Sequence, residues 1–226
     1  MGIEQPRQPN PSHSQQRRIG LTGGIASGKS SVARLLQQEH GLPLLDADVE
    51  ARQALAPGSP AARAVVERFG PAVLAPGTEP AAAELNRSAL GQIVFHDAQQ
   101  RAWLEQLVHP IVRARFAQQL QALATAPVVV LVVPLLFEAG LQDQCSEVWL
   151  VDCDEPQQLA RLMARDGLND GDARARIAAQ WPLARKRPLA QVLIDNRGRP
   201  DALPDQVTRA LGPDHNCVAS PQTTEG

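Results

Sequence analysis

The chain has no tyrosine, three cysteines, four phenylalanines and, among 22 basic residues, only two lysines, Lys29 and Lys186. Cys145, Cys153 and Cys217 contain no CxxC pair and are odd in number, which argues against a disulfide framework and a structural zinc site and favours a reducing compartment. Long apolar runs are also missing: the longest, residues 128–137, is interrupted by Pro134 and reaches about half the length of a membrane span. Residues 1–18 are polar and lack the apolar segment of a secretion signal, and Pro6 stands where a myristoylation signal needs Ser or Thr. No charge of one sign dominates, because 24 acidic residues face the 22 basic ones, so neither nucleic acid nor a membrane is an expected partner. The expected location is the cytoplasm, and the expected state a monomer or weak homo-oligomer. A length of 226 residues with 43% apolar content suits one globular domain, with room for one or two inserted subdomains.

What is present is an alternation of two periods. Short β-like runs at 18–22, 42–46, 128–133, 147–152 and 191–195 are separated by helical segments, the pattern of an α/β domain with a parallel sheet. The third run is apolar throughout, as a strand covered on both faces should be. Residues 47–127 exceed a simple crossover and are helical in pattern, broken at Gly58-Ser59-Pro60 and Ala75-Pro76-Gly77, which predicts an inserted helical subdomain. Pro110 falls within the helix expected over 101–123 and should kink or interrupt it. Residues 161–187 are dense in arginine and read as a lid with a positive surface. The core domain is expected over 18–211, with disordered tails at 1–17 and 212–226.

The sharpest feature is Gly23-Gly24-Ile25-Ala26-Ser27-Gly28-Lys29-Ser30, a complete G-x-x-x-x-G-K-[ST] pattern. Its glycines let backbone N–H groups converge on phosphate oxygens, and the helix that follows turns its positive end toward the same anion. Lys29 is placed to reach the β- and γ-phosphates, and the Ser30 hydroxyl to ligate Mg²⁺. Chance would produce the pattern in roughly one chain in a hundred of this size. Here a β-like run precedes it and an amphipathic helical run follows until Gly41, so the segment predicts a nucleoside triphosphate site over Gly23 to Ser30, with Ser31 beside it.

That loop does not by itself separate kinases from switches and motors. Asp46-Ala47-Asp48 closes the second run, at the sheet edge where ligands bind in parallel sheets, and a carboxylate there can take a hydroxyl proton or hold Mg²⁺ through water. Either aspartate, Asp46 especially, could instead cap the next helix. The third run ends without an aspartate and continues as Pro134-Leu135-Leu136-Phe137-Glu138, and no N-K-x-D pattern is present to read guanine. Arg161 and Arg165, four apart on a helix, share a face suited to clamping a phosphoryl group; the alternative is a solvated face paired with Asp166 or Asp154.

Taken together, Leu21-Thr22 with the glycine loop, Asp46-Ala47-Asp48 with Ala51-Arg52, Leu107-Val108-His109-Pro110-Ile111, Val133-Pro134-Leu135-Leu136-Phe137-Glu138, Arg161-x-x-x-Arg165-Asp166-Gly167, Gln180-Trp181-Pro182-Leu183 and Ile194-Asp195-Asn196-x-Gly198 resemble the dephospho-CoA kinase family over residues 18–211. The resemblance implies a P-loop three-layer α/β/α fold with a five-stranded parallel sheet, a helical substrate-binding subdomain and a lid. It implies transfer of a phosphoryl group from ATP, with Mg²⁺, to the ribose 3′-hydroxyl of dephospho-CoA. Carried over, Asp48 is the base, Lys29 and Arg161 stabilise the transferring phosphoryl, and Arg165 assists. Asp46, Arg52, His109, Pro134, Leu135 and Glu138 contact the acceptor; Asn196 and Gly198 lie near the adenine. His109 could equally be structural. Another small-molecule or nucleotide kinase of the same layout, or an ATP-driven switch protein, remains the alternative.

Overall fold

Apolar runs covered on both faces build the sheet. The computed structural model describes residues 16–198 and 200–212. Its strands are β1 (Arg17–Gly23), β2 (Leu44–Asp46), β3 (Val128–Val132), β4 (Glu147–Asp152) and β5 (Val192–Asp195), all parallel in the order β2-β3-β1-β4-β5. Every residue of β3 is buried. Val128, Val130 and Val132 face one layer while Val129 and Leu131 face the other, the two-residue period of a strand covered on both sides. Gly20 in β1 allows a close approach on the second face, where a Cβ would lie 2.6 Å from Cys145 Sγ and 2.9 Å from Leu136 Cδ1.

The first layer consists of α1 (Lys29–Gln38) and α9 (Leu203–Leu211), which pack Val32, Leu36, Val207 and Leu211 against Ile19, Leu21 and Trp149. The second is dominated by α5 (Ala98–Ala122), whose Val108, Val112, Phe116 and Leu120, each four apart, form one apolar stripe against the sheet. The chain is therefore a three-layer α/β/α fold. The second run expected at 42–46 shortens to three residues, because Pro43 has no N–H for the ladder and contributes only its carbonyl, to Val130 N–H (3.0 Å).

Between β2 and β3 come α2 (Ala47–Ala54), α3 (Pro60–Phe69), α4 (Arg87–His96) and α5. Ser59 caps α3 by accepting from Ala62 N–H (3.0 Å), with Pro60 at the first helical position, and Asn86 caps α4 in the same way (3.1 Å to Ala89 N). Val65, Val73, Leu90 and Val94 form a small core of their own, joined by Phe69 edge-to-face on Trp103. Between β4 and β5 come α6 (Glu155–Asp166), α7 (Asp170–Ala178) and α8 (Leu183–Lys186).

Of the kink or interruption expected at Pro110, the interruption does not occur, since α5 runs through it. Pro110 and Gln106, whose carbonyl loses its partner, both lie on the exposed side, where water can satisfy that carbonyl while the buried stripe holds the helix together. Gln16 and Arg17, expected in a disordered tail, are tied down. Gln16 Nε2 donates to the carbonyls of Leu123 (2.6 Å) and Ala126 (3.0 Å), and Arg17 opens β1 paired with Glu147. The remainder of the expected tails, 1–15 and 213–226, lies outside the described residues, as does Cys217.

Candidate active site

The strand order reverses around β1, which places a crevice at its C-terminal edge. There β1 gives way to the glycine loop and then to α1, whose N-cap is Gly28 at φ 98°. Gly28 is needed twice over: its dihedral is left-handed, and a Cβ would lie 2.0 Å from Asn196 Nδ2. At Gly24 a Cβ would lie 2.2 Å from Gln158 Nε2, so that side chain would have to give up its place beside the loop. Ala26 also adopts a left-handed conformation, at φ 57°, which costs a residue with a side chain about 1–2 kcal/mol. Side-chain amides brace the loop on both sides of it. Gln158 Nε2 donates to Ile25 O (2.8 Å), Ile25 N–H donates to Gln180 Oε1 (2.9 Å), and Asn196 Nδ2 donates to Ser27 O (2.7 Å).

Lys29 opens α1, and Ser30 and Ser31 expose their side chains in its first turn. The crowded cleft lowers the lysine pKa by desolvation, while Asp48 and then Asp46 pull it back up and Arg165 lowers it further. Asp48 shows the mirror image. Its carboxylate keeps an exposed surface within the cleft, yet desolvation raises its pKa despite the nearby Lys29, with Asp46 raising it further and Arg52 opposing. Lysine, carboxylate pair and arginines thus share one electrostatic neighbourhood at the loop. Asp46 is also the cap of α2: its Oδ1 accepts from Asp48 N (2.8 Å) and Val49 N (3.4 Å). This cap fixes the backbone of Asp48, and Arg52 follows Asp48 by one turn on the same helix face.

The two α6 arginines part company. Arg161 Nη2 donates to Asn196 O (3.1 Å), and its Nη1 is buried with no hydrogen-bond partner, a charged donor left for an anion. Arg165 is exposed and spends its fork on Asp166, at 2.7 and 3.0 Å, so in this state it does not stand beside Arg161 as a second open clamp.

The expected positive surface of the lid is largely neutralised: Arg174 pairs with Asp170, Arg176 with Asp166, Arg187 with Asp152, and Arg185 stacks on Trp181. Lys186 is not a surface charge at all. It is fully buried, with its Nζ 2.8 Å from Glu138 Oε1 and 3.3 Å from Pro134 O. Glu138 Oε1 also accepts from Trp181 N–H (2.9 Å), while Oε2 is buried without a partner. Glu138 therefore holds lid-segment residues in this structure. Pro134 and Leu135 are partly exposed beside it, and the Pro134 carbonyl also accepts from Thr22 Oγ1 (3.2 Å).

His109 is half-buried on α5, which packs against α2, the helix carrying Asp48. Desolvation lowers its pKa, with Glu105 opposing and Arg113 adding, which favours a neutral ring. Gly198 is exposed, and a side chain there would meet nothing within 4 Å, so no close approach demands its glycine.

The donor set fits a nucleoside triphosphate and a hard cation: a loop of braced backbone amides, an ammonium, an unpartnered guanidinium nitrogen, and a serine hydroxyl with carboxylates opposite. Among the described residues no group of three or more His, Cys, Asp or Glu could hold a metal by itself.

The sequence profile described as dephospho-CoA kinase matches residues 17–201. The chain belongs to the dephospho-CoA kinase family. A dephospho-CoA kinase of Synechococcus sp. (strain CC9605) is 61% identical over 196 residues, covering 87% of this chain and 92% of that protein. One of Prochlorococcus marinus (strain MIT 9313) is 57% identical, covering 87% and 96%. Among solved structures, a Thermus thermophilus protein superposes with a TM-score of 0.71 at 34% identity, covering 87% of this chain and 96% of that one. The dephospho-CoA kinase from Campylobacter jejuni gives 0.61 at 25% identity, covering 86% and 94%.

Membership in the dephospho-CoA kinase family accounts for the loop and the parallel sheet, but sequence reasoning missed three structural participants. Gln158 braces the loop from a helix where a glutamine carries no charge or spacing signal, and Gln180, although part of the Gln180-Trp181-Pro182-Leu183 motif, was given no role in the loop. Lys186 did leave a signal, its rarity in an arginine-rich chain, yet its partner is 48 positions away.

Proposed function

We propose that this chain transfers the γ-phosphoryl group of ATP to the ribose 3′-hydroxyl of dephospho-CoA, forming coenzyme A and ADP. The observation that carries the reading is the match to the dephospho-CoA kinase family over residues 17–201, supported by the amide-braced glycine loop and by Lys29 and Asp48, whose charges act on one another beside it. The loop amides and the α1 N-terminus bind the phosphates, and Lys29 meets charge developing on the transferred group. Arg161 Nη1, buried and unpartnered, is the second cation for that charge. Asp48 takes the proton of the attacking hydroxyl, and its raised pKa makes it a better base than an ordinary carboxylate. Ser30, together with the phosphates, would hold Mg²⁺, which would supply neutralisation of the phosphate charge.

In this reading residues 47–127 form the acceptor-binding subdomain and 161–187 the lid, with Arg52 and His109 on the acceptor side and Arg165 free to leave Asp166 when substrate arrives. Cytoplasmic conditions suit Cys145 and Cys153, both free and buried, with burial pushing their thiols up to about 12 and about 11. Among the described residues no helix is long and apolar enough to cross a membrane.

The test is ADP release from Mg-ATP with dephospho-CoA, with AMP and with no acceptor. Release that depends on dephospho-CoA supports the reading. Equal release with AMP would assign a nucleotide kinase, and nucleotide binding without acceptor-dependent release would assign a switch.

A further inference from the structure

Both backbone groups of Ile25 are held by side-chain amides from different elements. Its carbonyl accepts from Gln158 on α6, and its N–H donates to Gln180, just beyond α7. The next residue, Ala26, is left-handed at φ 57°, and the one after it, Ser27, has its carbonyl held by Asn196. A strained dihedral persists only where its surroundings over-determine it. These contacts on either side of Ala26 supply that constraint.

Among these three amides, Gln180 has a further connection. The adjacent Trp181 N–H donates to Glu138 Oε1, the oxygen that also receives the fully buried Lys186. Two consecutive residues, Gln180 and Trp181, therefore bond to the glycine loop on one side and to the segment following β3 on the other. The Lys186–Glu138 pair is the anchor that keeps this strap in place.

We propose that Gln180 is a positioning residue for the nucleotide loop, holding Ile25 so that the left-handed Ala26 and the amides beyond it are preset for phosphate. The role rests on the glycine loop being a nucleotide site but not on the identity of the acceptor. Gln180 touches no reacting atom; it acts through the loop backbone.

Gln180→Met keeps the size of the side chain and removes the acceptor of the Ile25 N–H. The expected result is an ATP KM raised about five- to tenfold, the size of one neutral hydrogen bond, with the dephospho-CoA KM within about twofold of wild type. A non-hydrolysable ATP analogue titrated by calorimetry should weaken by the same factor, and the melting temperature should stay within a few degrees. Wild-type affinity for the analogue in Gln180→Met overturns the proposal, as does an equal rise in both KM values, which marks general loosening. Tighter binding overturns it too, since Gln180 would then be a plug that nucleotide must displace. If the wild-type protein shows no release dependent on dephospho-CoA, the proposed acceptor fails, and the calorimetric comparison still decides the role of Gln180.

Discussion

Lys29 stands at the first position of a helix in a cleft open to solvent, surrounded by two carboxylates and an arginine that perturb it. Lys186 sits at the end of the four-residue α8 with no exposed surface, held by a single carboxylate and a backbone carbonyl. Both are rare ammonium groups in a chain whose other basic side chains are arginine. The glycine loop leaves its charge uncompensated in detail, as a site awaiting a polyanion must, and accepts a cost in stability. The lid base compensates its charge completely and gains geometry, because one glutamate oxygen receives both the ammonium and the backbone of Trp181. A compact ammonium on a flexible stem differs from the planar fork of an arginine, and both places use it as a point charge.

The largest expected effect separates the two regions by activity. Lys29→Met should lower turnover about a thousandfold, through loss of stabilisation on the transferred group. Its folded pKa is depressed, so the neutral form is favoured by folding. That contribution is present above the ordinary lysine pKa and lost as pH falls through the depressed one. At neutral pH the charge therefore costs stability, and Lys29→Met should melt no lower than wild type. Steady-state kinetics and a thermal melt on the same preparation check both halves.

Asp48→Asn should reduce turnover about a hundredfold or more while the affinity for an ATP analogue changes by less than about twofold. Here the sign of the linkage is the opposite of a salt-bridged carboxylate. Folding favours protonated Asp48, so its contribution is full below the ordinary carboxylate pKa and is lost as pH rises through the raised value. The asparagine variant should consequently melt at or above wild type near neutral pH. The wild-type rate should fall as acid titrates Asp48, at a higher pH than an unperturbed aspartate would give. An unchanged acid limb in Asp48→Asn would remove Asp48 from the base role.

At the lid base the order reverses. Lys186→Met leaves Glu138 buried and unpaired and should cost about 3 kcal/mol or more, read as a lowered midpoint in urea unfolding. The double replacement Glu138→Gln with Lys186→Met removes both charges and keeps an oxygen for Trp181 N–H. It should recover most of the loss, since neutral replacements of a buried pair are often tolerated. If the double variant stays as unstable as the single, the ion pair is not what anchors the strap.

These two regions also differ in how far they could be read from sequence. The five strands were legible because a run such as Val128 to Val132 has no alternative to burial on both faces, and the glycine loop because its chemistry restricts residue types at fixed offsets. The lid base was not, because a lysine in an arginine-rich segment looks like solvent-facing charge until a glutamate from another element closes over it. Pro110 is a related case: the local cost of a proline is visible in sequence, whereas the stripe from Val108 to Leu120 that carries the helix through it acts through the sheet. The loop glutamines are the extreme case, since only three-dimensional structure shows that Gln158 and Gln180 meet at one residue.

The smallest effect concerns Asp46, where cap and charge are superposed in one carboxylate. Asn caps helices about as well as Asp, so Asp46→Asn should hold α2 in place and keep the melting temperature, while withdrawing one of the two carboxylates that raise the Lys29 pKa. Asp46→Ala loses both functions and should cost about 1 kcal/mol of stability as well. The difference between the two variants isolates the cap; the difference between Asp46→Asn and wild type isolates the charge. A fall in turnover of about threefold in Asp46→Asn, at unchanged stability, would give Asp46 an electrostatic part in the site. Loss of activity in Asp46→Ala alone would reduce it to holding Asp48 on the first turn of its helix.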